Sequence, residues 1–168
     1  ECDPISIGMG EPSVIELIEG HILMIARTKK GTLWISESMD TGKNWSNPKS
    51  SGIASNNTPA SLLKKNNSIL ICYNCGNLRD KLHLSSTESL SFQWDSTLVV
   101  DQISDNSLLK DKSIHPSGSD CAVTYPSIIN YNDSKIMLAW SRYEINENEH
   151  KGEICYCIVE IEEDSFAL

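Results

Sequence analysis

Residues 38 to 45 read Ser38-Met39-Asp40-Thr41-Gly42-Lys43-Asn44-Trp45. As a pattern this is S-x-D-x-G-x-x-W. Asp40, Thr41 and Gly42 suit a tight turn, because Asp hydrogen-bonds its own backbone two residues on and Gly accepts a positive φ. Ser38 closes the run of strand-forming residues before it. Trp45 sits three residues past the glycine, close enough to fold back over the turn. The eight residues describe a strand, a pinned turn and an aromatic lock, so they speak to architecture before chemistry.

Working outward, the chain repeats itself. Ser13–Thr28, Ser61–Asn74 and Ser127–Ser141 align as short apolar strand, polar turn and strongly apolar strand, the signature of a β-hairpin. The second strands, Ile22–Ala26, Ile69–Tyr73 and Ile136–Trp140, are nearly continuous apolar runs, as expected of strands covered on both faces. A third strand follows each hairpin, at Thr32–Glu37, Lys81–Ser85 and Ile154–Ile161, the last after a polar loop at 144–152. After the second of these comes Thr87-Glu88-Ser89-Leu90-Ser91-Phe92-Gln93-Trp94, in which Ser89 and Ser91 replace the Asp and Gly of the first turn. It reads as a decayed copy. A period of about 50 residues with about four strands per unit is that of propeller blades.

The S-x-D-x-G-x-x-W stretch resembles the Asp-box of sialidases and other BNR-repeat proteins, where it sits on the outer hairpin of a blade. The expected fold is therefore all-β: a partial β-propeller of about three four-stranded antiparallel blades, near residues 9–57, 58–100 and 122–165, with a long loop at 101–121. The resemblance is to six-bladed propellers, so this is about half of one, and the remaining blades are expected from a parent chain or a partner. Exposed radial edges are expected at both ends.

The 168 residues carry a formal net charge of −9, which disfavours nucleic acid and anionic membrane as partners. No apolar run approaches the ~18 residues of a membrane span. A few converging arginines can still hold a small anion against the global charge. Four N-x-S/T sequons, at Asn44, Asn56, Asn66 and Asn132, are compatible with secretion, and an extracellular setting is favoured. Six cysteines are present. Cys72-x-x-Cys75 with Cys155-x-Cys157 can be written as a four-thiolate zinc site, but both pairs fall in strand-like runs rather than on tight turns. They are expected to be buried thiols, with room for one or two disulfides, and no metal or cofactor is expected.

In a propeller the ligand lies at one end of the central channel, where the innermost strands begin. Glu11 stands there in Gly10-Glu11-Pro12-Ser13, and Pro12 biases it toward extended geometry. Tyr125 holds the equivalent place in Thr124-Tyr125-Pro126-Ser127, and Thr58 in Thr58-Pro59-Ala60-Ser61. Arg27 ends the second strand of the first unit and Arg79 follows that of the second. A Glu, an Arg, a second Arg and a Tyr occur in this order and blade register in sialidases, so the resemblance extends from about residue 9 to 160. It implies an exo-α-sialidase-like, retaining glycoside hydrolase acting on terminal sialic acid or a similar acidic sugar. Tyr125 would be the nucleophile and Glu11 its base, with Arg27 and Arg79 in the carboxylate clamp. The chemistry is coherent, since a neutral tyrosine avoids the repulsion between an anionic nucleophile and the sugar carboxylate, which guanidinium forks grip. The family's acid/base Asp and third Arg cannot be assigned here, because Asp3 stands in the wrong context.

Structural readings stand beside these. Tyr125 would merely pack at a strand start, Arg27 would pair with Glu11 or Asp80, and Arg79 would be a surface loop residue. His21 is expected to be solvated in its hairpin turn, and His115 has a small claim to reach a substrate. The competing reading of the whole is a non-catalytic carbohydrate-binding or structural propeller of BNR repeats.

Overall fold

The computed structural model describes residues 7–55, 57–76, 78–87, 94, 96–103, 121–145, 150–162 and 165–167. Twelve strands fall among them: β1 (Gly10–Ile18), β2 (His21–Arg27), β3 (Thr32–Ser38), β4 (Lys49–Ala54), β5 (Ser61–Lys65), β6 (Ser68–Asn74), β7 (Lys81–Thr87), β8 (Ser96–Gln102), β9 (Cys121–Asn130), β10 (Lys135–Ile145), β11 (His150–Glu162) and β12 (Ser165–Ala167). They form three four-stranded antiparallel meanders in the orders β1-β2-β3-β4, β5-β6-β7-β8 and β9-β10-β11-β12. These are three blades of a partial propeller, with β1, β5 and β9 as neighbouring inner strands.

Each hairpin forms where the repeat places it, but the third blade is longer than its pattern. β10 and β11 extend through most of the expected 144–152 loop, paired from Lys135↔Glu160 to Ile145↔His150. Asp101 and Gln102 belong to β8 and Cys121 to β9, which trims the expected 101–121 loop from both sides. Residues 104–120, His115 included, lie outside the described residues, as do 88–93 of the decayed turn, together with Cys2, Asp3 and Asn56.

The blades stack face to face, and the middle blade is covered on both sides. Leu62, Ile69, Ile71 and Tyr73 pack against Leu23, Ile25, Leu33 and Ile35 of the first blade. The alternate residues Leu70, Cys72, Leu82 and Leu84 pack against Val123, Ile128, Ile136 and Leu138 of the third. This two-sided burial explains the unbroken apolar runs of β2, β6 and β10. Polar staples join the same faces. Ser13 Oγ accepts the Leu62 N–H at 3.0 Å, and Ser61 Oγ, one blade on, accepts the Ile128 N–H at 3.3 Å. Asn74 donates to the carbonyls of Lys81 (2.8 Å) and Val123 (2.7 Å), tying the second blade to the third at its inner end.

The Ser38–Trp45 turn is built as its residues dictate. Ser38 Oγ accepts the Gly42 N–H at 2.9 Å and donates to Asp40 Oδ1 at 2.9 Å. Asp40 also accepts the Asn44 N–H at 2.8 Å and its side-chain amide at 2.6 Å. These bonds, with the Asn44 side chain foremost, hold the Asp40 carboxyl below its ordinary pKa. Gly42 has φ 83° and Thr41 also turns left-handed at 59°. Trp45 closes over the glycine, its indole N–H donating to the Gly42 carbonyl at 3.0 Å.

His21 corrects an expectation: it is buried, with Nε2 3.0 Å from a Glu37 carboxylate oxygen. Glu37, paired with Leu23 across the β2–β3 ladder, reaches His21 diagonally, and that partner is what lets a polar ring leave water. Cys72, Cys75, Cys155 and Cys157 are free thiols, so the anticipated disulfides are not made by these four. Burial pushes the Cys72 and Cys157 thiols up, which keeps them protonated and inert.

Leu84→Ala removes a fully buried side chain from the middle blade, and should cost about 2–5 kcal/mol, read as a shift in the urea midpoint. Asp40→Ala should lower Tm at neutral pH. Because the folded pKa is depressed, the stabilisation exists above the unfolded pKa and disappears as pH falls through the folded one. The difference in Tm from wild type should therefore close on acidification, and a pH-independent difference would contradict the charge-based account.

Candidate active site at the inner strand ends

Each inner strand has a left-handed residue associated with it: Glu11 is second in β1, Asn57 lies four residues before β5 begins, and Tyr125 is fifth in β9. Glu11 has φ 47°, Asn57 49° and Tyr125 55°. The Pro after Glu11 was expected to hold it extended, and the backbone is instead αL. Such a conformation costs a non-glycine residue roughly 1–3 kcal/mol and persists only where its surroundings enforce it. For Glu11 and Tyr125 the cause is a register shift. The β1–β2 ladder skips residues between Gly10 and Ser13, and the β9–β10 ladder shifts between Ala139 and Ser141, opposite Tyr125. An extra residue in a ladder turns its side chain out of the regular alternation, and such bulges collect beside functional sites.

The second blade departs from the expected frame. Thr58, read as the counterpart of Glu11 and Tyr125, is buried and bonds Ser55 through its hydroxyl at 2.8 Å. The left-handed position falls one residue earlier, on Asn57. The signal was present, since Asn tolerates αL better than most residues, but the Thr-Pro pair drew attention away from it.

Asn57 organises the site. Arg27 Nη1 donates to Asn57 Oδ1 at 2.6 Å and to its carbonyl at 3.4 Å. Arg79 Nη2 donates to the same carbonyl at 3.4 Å. Both guanidinium groups therefore converge on one residue, and neither is a free surface side chain. Arg79 is buried, and its own carbonyl accepts the Val123 N–H at 2.8 Å, which fixes it beside β9.

The outer members attach to these arginines. Glu11 pairs with Arg27, Oε2 to Nε at 2.7 Å and Oε1 to Nη2 at 3.2 Å, a two-point contact. The Arg79 guanidinium carbon lies 5.7 Å from the centroid of the Tyr125 ring, within cation–π range. Tyr125 is half exposed at 52%. The result is a continuous chain, Glu11–Arg27–Asn57–Arg79–Tyr125, crossing all three blades. Glu11 and Tyr125 stand at its two ends, with no hydrogen bond between them among the described residues. Chemically the group offers two positive forks, one accessible carboxylate and one accessible phenol, arranged across the three blades. No cluster of three or more His, Cys, Asp or Glu suited to a metal occurs among the described residues.

Solved structures share this fold at low identity. A protein from Dyadobacter fermentans superposes with a TM-score of 0.65 at 19% identity, over 93% of this chain and 39% of that one. The NanB sialidase of Streptococcus pneumoniae gives 0.63 at 18%, over 90% and 23%. The sialidase of Trypanosoma rangeli, solved as a covalent intermediate with 2,3-difluorosialic acid, gives 0.56 at 20%, over 89% and 23%. The chain thus spans well under half the length of these proteins. No curated protein sequence matched. The BNR repeat-like domain matches residues 4–138, and with most of its length inside that match the chain belongs to the BNR repeat-like domain family.

Proposed function

We propose that the chain forms part of a retaining, exo-α-sialidase-like site for terminal sialic acid or a similar acidic sugar. The observation that carries this reading is the convergence of Arg27 and Arg79 on Asn57, between an accessible Glu and an accessible Tyr. Two guanidinium groups held together favour a carboxylate, through charge-assisted and preferably bidentate bonds. Their mutual repulsion is relieved when an anion binds between them. The remaining roles are part of the proposal, and the resemblance of the blade register to sialidases supports them.

In the proposed step the Tyr125 hydroxyl loses its proton to Glu11 as its oxygen bonds to the anomeric carbon. The glycosidic bond breaks, and the leaving oxygen takes a proton from an acid supplied outside these four residues. Water then cleaves the glycosyl-tyrosine, with overall retention. Glu11 must exchange its Arg27 contact for the Tyr125 proton, and a substrate carboxylate arriving at Arg27 provides the competing anion. The acid completing the site, and the other arm of the clamp, belong to further blades.

The resting ion pair between Glu11 and Arg27 also favours a second reading. A base committed to an arginine suits a lectin-like site that holds an acidic sugar without cleaving it. Fluorogenic sialoside hydrolysis by the full-length protein, which carries the further blades, separates the two. Under the enzyme reading Tyr125→Phe lowers turnover on the order of 10²–10⁴-fold with little change in sugar affinity. Undiminished turnover in that variant removes Tyr125 as nucleophile, and saturable binding without turnover in any variant establishes the lectin-like reading. Arg79→Ala should weaken sialic acid binding in either case, by about 1.5–3 kcal/mol for the lost charge-assisted bonds, read by calorimetry.

A further inference from the structure

The far ends of two inner strands frame a polar cleft, away from Asn57 and Tyr125. β5 ends at Lys65 and β9 at Asn130, and these ends, with the turns that follow them, line a cleft of about 380 Å³. Five residues of β9 carry the chain from Tyr125 to Asn130, a span of roughly 15 Å. Both walls belong to neighbouring blades of this chain, so the cleft does not depend on what covers the two outermost blade faces.

Lys65 is the unusual member of the lining. It stands at a strand end, yet it is only 7% exposed. Its Nζ donates to the Asn132 carbonyl at 2.8 Å, to Asn130 Oδ1 at 3.2 Å and to the Lys135 carbonyl at 3.5 Å. All three acceptors are neutral. Lys64 reaches the other way, to the Leu17 carbonyl of the first blade, which is neutral as well. No ion pair among the described residues uses Lys64, Lys65 or Asp133, the one carboxylate in the lining. A buried charge normally has a counter-charge, because neutral acceptors repay only part of its lost hydration.

The amides beside Lys65 turn donors outward. Asn130 Oδ1 is taken by Lys65. Asn132 Oδ1 accepts the Ser134 N–H at 3.0 Å, the Ser134 hydroxyl at 3.4 Å and the Lys135 N–H at 2.8 Å. These bonds fix which way each amide is turned. Both oxygens are occupied within the protein, while both NH2 groups have no partner among the described residues. Two ammonium groups and two amide NH2 groups thus face one carboxylate, in a chain whose net charge is −9.

We infer that this cleft binds an oxyanion carried on a small polar molecule, with Lys65 as its counter-charge and the Asn130 and Asn132 amides as donors. The volume lies in the range of roughly 300–1,000 Å³ that ligand pockets occupy, larger than a bare ion needs. An ammonium acts as a point charge and takes carboxylate, phosphate or sulfate by the same chemistry. The inference uses no residue of the Glu11–Tyr125 chain, so it stands or falls separately from the sugar chemistry.

Calorimetric titration of the full-length protein with acetate, phosphate and sulfate tests it. Protein made in a bacterial host keeps the sequon amides of Asn66 and Asn132 free of glycan. The decisive variant is Asn130→Asp. Asn130 is exposed, and an aspartate keeps the acceptor that Lys65 uses, so the circular dichroism should be unchanged while a built-in carboxylate takes the ligand's place. Saturable binding of at least one of the three ions is expected, weakened about tenfold or more in the variant by the like charge. Which ion binds separates carboxylate ligands from phosphate and sulfate ones. Anions held at Arg27 and Arg79 contribute equally to both proteins and cancel in the comparison. Matching titrations in wild type and variant overturn the inference, as does the absence of saturable binding by all three ions, which leaves Lys65 as a tie between blades.

Discussion

Everything in this molecule depends on the middle blade being packed on both faces. A four-stranded meander has two faces and cannot cover either by itself. The second blade solves this with Ile71 and Tyr73 turned to one neighbour and Leu70, Cys72 and Leu84 turned to the other. Apolar side chains alone would allow the blades to slide. The Ser13–Leu62 and Ser61–Ile128 staples set the translation of each sheet on the next. That translation brings the starts of β1, β5 and β9 to one end, and the candidate site exists only because they meet there.

The site couples strain to electrostatics. Glu11 and Tyr125 take left-handed backbone at bulges inside β1 and β9, and Asn57 does so ahead of β5. Asn57 then supplies acceptors that hold two like-charged guanidinium groups together. A protein with a net charge of −9 thereby keeps a local positive patch, made of a few well-placed donors rather than of bulk composition. Glu11 partly neutralises the patch at rest, which makes its carboxylate the natural competitor of an incoming anion.

Much of this was legible in the chain itself, for a physical reason. Turn chemistry and strand periodicity are local, so Ser38–Trp45 and the three apolar hairpins declared the blades, and the blades put Glu11 and Tyr125 at equivalent points of β1 and β9. Reading failed where a neighbour decided the outcome. His21 looked solvated because its partner Glu37 is on another strand. Glu11 looked extended because Pro12 is adjacent, while the bulge that overrides Pro12 depends on the β1–β2 register. Asn57 escaped notice because its value lies in two arginines, one from the preceding blade and one farther along its own.

The sequence by itself determined an all-β chain of repeated meanders, its Asp-pinned turn, and the order of Glu11, Arg27, Arg79 and Tyr125 along the chain. These follow from short-range hydrogen bonding and alternating burial, which act within a few residues. Only the tertiary structure decided that the two arginines share Asn57, that Glu11 rests on Arg27 rather than beside Tyr125, and that Lys65 is buried against the β9–β10 turn. Each of those depends on how one sheet is set against another, and that setting is fixed by packing between residues far apart in the chain.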